Sequence, residues 1–261
     1  MPITAWNCPE CKRVQPLDHY DSGGPCSLTI HPDFAQAVLD DHLDKADKAW
    51  PSVTQGLGCP RKSAILRSAD VAVNPLDLNA PLTGTAWHKL VGQTGAWSEL
   101  PVKGQIAGLT ISGTIDRLRS LADNRVVIED WKHTNDFSRK YLVDAKPEHV
   151  VQISLYAELV RQQLNLSPAA GIIWYHFASS PGLVPKAVEL WPVERCLAYH
   201  PYDCDWSVGQ LFEMVAEYDQ QGGRWQDLPL VGQTIKFGGK TGCDYCEVRS
   251  TCLTAEGGAP F

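Results

Sequence analysis

Two neighbouring runs in the middle of the chain alternate apolar and polar side chains, and that period leaves little choice of structure. Residues 105–118 and 125–132 read as β-strands, because successive side chains of a strand point to opposite faces. In "LTISGTIDRL" one face carries Leu109, Ile111, Gly113 and Ile115, and the other carries Thr110, Ser112, Thr114 and Asp116. In "VVIEDWKH" the residues Val126, Ile128, Asp130 and Lys132 share a face, while Val127, Glu129 and Trp131 take the opposite one. Alternation therefore separates two adjacent carboxylates. Asp130 goes with Lys132, and Glu129 does not.

The register follows from the loop. A three-residue loop, Ala122-Asp123-Asn124, ends on an asparagine that tolerates the left-handed region. Leu121 then pairs with Arg125 and Asp116 with Asp130, whereas a two-residue loop would break this pairing. Opposed residues bring their Cβ atoms about 4.5–5.5 Å apart. Two carboxylates at that distance repel unless a cation sits between them, and hard oxygen ligands suit Mg²⁺ or Mn²⁺. The bland reading is a pair of strand-end acids facing water. Lys132 weighs against it, since a lysine there can orient a water and stabilise charge building on a phosphate.

The remaining chain is expected to be helical on either side of these strands. Residues 33–50, 56–70 and 83–95 read as helices, the last carrying His88. A helix is expected from Pro147, which suits a first turn. Gln152 and Tyr156 are four apart and share a face beside the apolar stripe Ile153, Ala157, Val160 and Leu164. "AGIIWYHFA" and "KAVELWPV" read as strands and residues 206–221 as a further helix. This order belongs to an α/β or mixed α+β fold.

The net charge of −7 over 261 residues excludes binding of nucleic acid by bulk electrostatics. A phosphate contact needs a local patch, for which Arg61, Lys62 and Arg67, then Arg117 and Arg119, then Arg139 and Lys140 are candidates. No apolar run reaches the roughly 18–20 residues that span a bilayer. The N-terminus lacks a basic region followed by an apolar one, so a cytoplasmic location is expected. Nine cysteines without an export signal argue against a disulfide framework. The pairs Cys8-x2-Cys11 and Cys243-x2-Cys246 read better as metal ligands.

The ordered set "GTAWHKL", "GTIDRL", "EDWKH" and "QISLY" resembles the RecB-type branch of the PD-(D/E)XK nucleases, over roughly residues 59–252. The resemblance implies a restriction-endonuclease-like core, a mixed central sheet flanked by helices. It also implies that His88, Asp116 and Asp130 hold the catalytic metal ions and that Lys132 is the catalytic lysine. Gln152 and Tyr156 would support the site and contact DNA, and Arg61 and Lys62 of the local basic patch are expected to contact DNA beside Tyr156. Glu99 matches the place where some members carry an additional acid. One early cysteine, Cys59, with the late Cys243-x2-Cys246-x5-Cys252, is similar to the iron–sulfur branch, which includes AddB-type nuclease domains and CRISPR-adaptation exonucleases. There four thiolates hold a 4Fe–4S cluster that staples the domain ends. The same ligands could form a Zn(Cys)₄ site.

Residues 1–32 read as a separate knot, ahead of a nuclease domain over 33–261. Cys8, Cys11, Cys26 and His31 have zinc spacing, with His19 able to replace His31; a bare thiol pair in "CPEC" is the alternative. Cys196 and Cys204 are expected to be structural. The function expected is that of a metal-dependent DNA exonuclease acting on ends or single strands, with recombination or CRISPR-adaptation proteins as partners, in a host cytoplasm if phage-encoded. The rival expectations are a DNA-binding or assembly subunit with a degenerate nuclease fold, and a redox-sensing iron–sulfur protein.

Overall fold

The structure is a computed structural model and describes residues 3–8, 10–11, 13–15, 51–68, 71–73, 97–134, 142–177, 182–221, 224–234, 236–237, 240–246 and 248–254. The described residues divide into two compact units. One is drawn from residues 1–48, 58–82 and 217–261, the other from 49–57 and 83–216.

In the first unit, β1 (Ile3–Cys8) and β2 (Arg13–Gln15) form an antiparallel hairpin that pairs Cys8 with Arg13. β3 (Val71–Val73) joins β1 in parallel. α1 (Pro60–Ser68) starts on a proline, whose missing N–H leaves no helix bond unmade in a first turn. Arg61, expected on DNA, is instead buried. Its Nε donates to the Leu228 carbonyl at 2.7 Å and its Nη2 to the Gln226 carbonyl at 3.0 Å. A buried guanidinium needs such acceptors, so this arginine ties its own unit together rather than presenting a charge to phosphate.

The second unit is built on a five-stranded mixed sheet of order β4-β5-β6-β7-β8. Its strands are β4 (Ser98–Ile106), β5 (Leu109–Ser120), β6 (Arg125–Thr134), β7 (Ser167–Phe177) and β8 (Leu183–Val188). Only the β6–β7 pair in this sheet is parallel, and a parallel pair needs a crossover. α2 (Pro147–Leu164) provides it, beginning on Pro147 and ending on a left-handed Asn165. Its Val151, Ile153, Leu155, Ala157, Leu159 and Val160 are fully buried against Ile111, Ile115, Ile128 and Ile173 of the sheet. Each large aliphatic side chain so buried contributes about 1.5–3 kcal/mol. Gln152 and Tyr156, expected at the edge of a stripe, are buried as well, because the helix is covered nearly all round.

β4 is a correction to the sequence reading, which began a single strand at residue 105. The chain instead turns at Ala107 and Gly108, both at positive φ, and β4 runs back from Ile106 to Ser98. Pro101 hides this strand in the sequence and is tolerated because β4 is an edge. Gln162 and Gln163 of α2 accept from its backbone, Gln105 N–H to Gln162 Oε1 at 2.7 Å and Lys103 N–H to Gln163 Oε1 at 2.6 Å.

α3 (Val193–Ala198) and α4 (Val208–Gln221) follow, the latter burying Leu211, Phe212 and Val215. The C-terminal part of the first unit holds α5 (Val231–Thr234), the short pair β9 (Lys236–Phe237) and β10 (Lys240–Thr241), and α6 (Arg249–Thr254). No described helix is long and apolar enough to cross a membrane.

Candidate active site

The site begins at the β5–β6 turn. Leu121 N–H donates to the Arg125 carbonyl at 2.8 Å, and Asp123 and Asn124 both have positive φ. The expected three-residue loop is therefore present, and Asn124 fills the left-handed position asked of it. The ladder pairs Ser120 with Val126, Leu118 with Ile128 and Arg117 with Glu129. One more step sets Asp116 across from Asp130. There the Asp116 carboxylate takes over from the backbone, its Oδ2 accepting the Trp131 N–H at 2.7 Å.

The alternation expected along β5 holds only to Ile115. Ile111, Ile115 and Leu118 all enter the same core, and a spacing of three between the last two cannot come from an unbroken pleat. The break falls on Asp116 and Arg117. On β4, Ser98 pairs with Arg117 and Leu100 with Ile115, which sets Glu99 opposite Asp116. Glu99 has φ 49, a conformation costly for a residue with a Cβ. The acids Glu99, Asp116 and Asp130 thus follow one another across three adjacent strands. Asp116 reaches this row at a local irregularity, not as a member of the Thr110, Ser112 and Thr114 face.

Asp130 is 2% exposed, and the Lys132 ammonium lies 2.7 Å from its Oδ2, a charge contact rather than an aligned hydrogen bond. Gln152 Nε2–H donates to Tyr156 Oη at 3.3 Å. The Tyr156 ring lies over Gly113, where an added Cβ would stand 2.4 Å from its Cε1, so only glycine admits the ring. Burial raises the Tyr156 phenol well above its ordinary range. The Asp130 charge raises it further, the Gln152 hydrogen bond opposes the rise, and Asp116 and Glu99 add to it. One phenol thus lies within electrostatic reach of all three carboxylates. It stays protonated and can serve as a donor.

Glu129 has a different setting. It is 3% exposed, with Arg119 Nε at 2.8 Å and Arg117 Nε at 3.7 Å from its oxygens. Val126 and Ile128 enter the α2 core while Val127 and Trp131 are buried outside it, so alternation along β6 holds as expected. The arginines offered as phosphate contacts, Arg117 and Arg119, are engaged by this carboxylate.

Two residues passed over in the sequence stand beside the group. Tyr175 pairs with Lys132 in the β6–β7 register, and His149 lies three residues before Gln152 on α2. The three-residue spacing was a signal available in "HVVQ".

The second donor set lies in the other unit. Burial pushes the Cys243 thiol up to about 12, with further rises from Cys246, Cys59 and Cys252 in that order. Cys243 thus lies within electrostatic reach of the other three cysteines of the expected cluster. Gly232 allows the approach: a Cβ there would meet Cys243 Sγ at 2.8 Å. A capping box of Thr241 and Asp244 starts the turn that carries Cys243. At the N-terminus, Cys11 N–H donates to Cys8 Sγ at 3.3 Å across the C-x2-C turn. Among the described residues no three His, Cys, Asp or Glu side chains are grouped to hold a single metal ion. His88, His19, Cys26, His31, Arg139 and Lys140 lie outside the described residues. Lys62 is half-buried on α1. Cys196 and Cys204 are buried.

Compared with known proteins, residues 33–253 match the family described as the PD-(D/E)XK nuclease superfamily. No curated protein matches the chain. Among solved structures it is similar to "Crystal structure of SSO0001", with 15% identity over 85% of this chain and 94% of that one and a TM-score of 0.49.

Proposed function

The chain belongs to the PD-(D/E)XK nuclease superfamily, and on that footing we propose that it is a DNA exonuclease that uses Mg²⁺ or Mn²⁺ at Asp116, Asp130 and His88, with Glu99 as an additional acid. The family itself implies a metal-dependent nuclease with DNA as substrate. The observation that carries the finer reading is the row Glu99, Asp116 and Asp130, bearing together on Tyr156, with Lys132 on Asp130. Carboxylates on adjacent strands supply the hard oxygen donors that Mg²⁺ or Mn²⁺ takes.

When bound, the metal would supply positive charge at the scissile phosphate and acidify a water. The chain's own residues do the rest. Asp116, fixed by the Trp131 N–H, and buried Asp130 are held in place before any ligand arrives. Lys132 brings an ammonium to the same point, where it can orient a water and balance charge on the phosphate. Tyr156, kept protonated by burial and oriented by Gln152, offers a hydroxyl to substrate, and Lys62 offers a charge to the DNA backbone.

Cys59, Cys243, Cys246 and Cys252 would hold a 4Fe–4S cluster, and Cys8, Cys11, Cys26 and His31 a zinc ion. The charge effect of the other three cysteines on Cys243 supports the first and the Cys11-to-Cys8 hydrogen bond the second. A metal would bind the Cys243 thiolate that burial, with the neighbouring cysteines, otherwise disfavours. Zinc in place of the cluster remains the rival, and iron and zinc analysis of the purified protein separates them.

The test is Mn²⁺-dependent digestion of end-labelled linear DNA beside a circular single strand, with EDTA as control. An exonuclease degrades the linear form and spares the circle. Cleavage of the circle would overturn the exonuclease reading, and no metal-dependent cleavage of either form would overturn the nuclease reading.

A further inference from the structure

The stripe of α2 that carries Gln152 and Tyr156 starts one turn earlier, with His149. Positions 149, 152 and 156 are spaced three and four apart and lie on one side of the helix. Tyr175, next to Lys132 in the β6–β7 ladder, is fully buried and meets this histidine. Its hydroxyl lies 2.7 Å from His149 Nδ1 and accepts the Lys146 N–H at 3.1 Å.

These contacts decide a proton. A buried hydroxyl needs an acceptor for its hydrogen. Among the described residues the one acceptor within reach of Tyr175 Oη is His149 Nδ1, because the other contact is a donor. Tyr175 therefore donates and Nδ1 accepts. Burial, with the Lys132 and Lys146 charges, keeps the imidazole neutral. A neutral imidazole whose Nδ1 accepts carries its proton on Nε2. No described residue takes a hydrogen bond from that nitrogen.

We infer that His149 is a further substrate-contacting residue, whose Nε2–H donates to a non-bridging phosphodiester oxygen beside Lys132, and that Tyr175 is a positioning residue that fixes its tautomer. A neutral donor suits this place. It binds an anionic oxygen without setting a second cation against the Lys132 ammonium. The inference rests on the nuclease reading for the identity of the ligand, and on the hydrogen-bond geometry alone for the donor.

The experiment compares wild type with His149→Ala, His149→Gln, His149→Asn and Tyr175→Phe. Two readouts are used: affinity for a single-stranded oligonucleotide in Ca²⁺, and KM and kcat for cleavage in Mn²⁺. Loss of one hydrogen bond to a charged group is worth about 10-fold or more in affinity. His149→Ala should weaken binding and raise KM by about that factor, with kcat changed less. His149→Gln, whose amide nitrogen can stand where Nε2 stands, should recover to within about 3-fold, and His149→Asn, which only mimics Nδ1, should not. Nitrogen NMR of wild type should show the Nε2–H tautomer, and Tyr175→Phe should lose that preference. Unchanged affinity and KM in His149→Ala, or equal behaviour of the Gln and Asn variants, overturns the inference while leaving cleavage intact. If wild type fails to cleave but His149→Ala still weakens binding and Gln rescues it, the nuclease reading falls and the donor stands.

Discussion

Glu129 and Asp130 are neighbours in sequence and equally hidden from water, yet the two faces of β6 give them opposite surroundings. On one face Glu129 is closed between Arg119 and Arg117. On the other Asp130 meets Lys132, and it follows Asp116 and Glu99 in a row of acids. The first carboxylate is neutralised by its own protein. The second stands in a row of carboxylates on adjacent strands, the hard oxygen donors that a divalent cation takes. Burial alone does not tell a functional acid from a structural one; the neighbours set beside it, arginines for Glu129 and further acids for Asp130, do.

Substitutions on the two faces should therefore part company. Asp130→Asn removes a charge from the acid row and should lower Mn²⁺-dependent cleavage by about 10³-fold or more while the circular dichroism spectrum is kept. Cleavage near the wild-type rate would end the claim that this face does the chemistry. Lys132→Ala should cost roughly 10²-fold in kcat, measured under single-turnover conditions with saturating metal. Glu129→Gln should leave cleavage within about 3-fold. It should lower stability in urea by about 1–2 kcal/mol, less than a fully buried pair because both arginines are a third or more exposed. A large loss of activity with unchanged stability would reverse the assignment of the two faces.

The smallest effect concerns pH. Burial first, then Lys132 and Lys146, hold the His149 pKa well below 6.5. Above that value neither the folded nor the unfolded chain carries the extra proton. As pH falls through 6.5 the unfolded chain takes it up and the folded chain does not, so this residue costs stability on the acid side. His149→Gln removes the proton uptake. Its melting temperature should fall less steeply than that of wild type between about pH 7 and pH 5, and parallel curves would count against a buried neutral imidazole.

Much of the Asp130 face was legible in the sequence. The pleat of β6 and an asparagine able to close a three-residue turn were enough to set Asp116 opposite Asp130. The pleat of β5 misled at its end, because the strand breaks step at Asp116, opposite a glutamate at positive φ. That conformation depends on the pairing of two strands and leaves no mark on local spacing. β4 was hidden by Pro101, since a proline in an edge strand reads the same as one in a loop. The clamp on Glu129 needed the register before Arg117 and Arg119 could be seen beside it. Arg61 read as a surface charge because its acceptors are carbonyls more than 160 residues away. Tyr175 reads as one aromatic in an apolar strand, and its meeting with His149 is purely tertiary.

Binding of Mn²⁺ followed by electron paramagnetic resonance tests the contrast between the two faces most directly, with wild type, Asp130→Asn and Glu129→Gln measured side by side. Wild type and Glu129→Gln should bind alike, and Asp130→Asn should bind at least about tenfold more weakly. Equal binding by wild type and Asp130→Asn, with loss in Glu129→Gln, would contradict the placement of the metal on the Asp130 face.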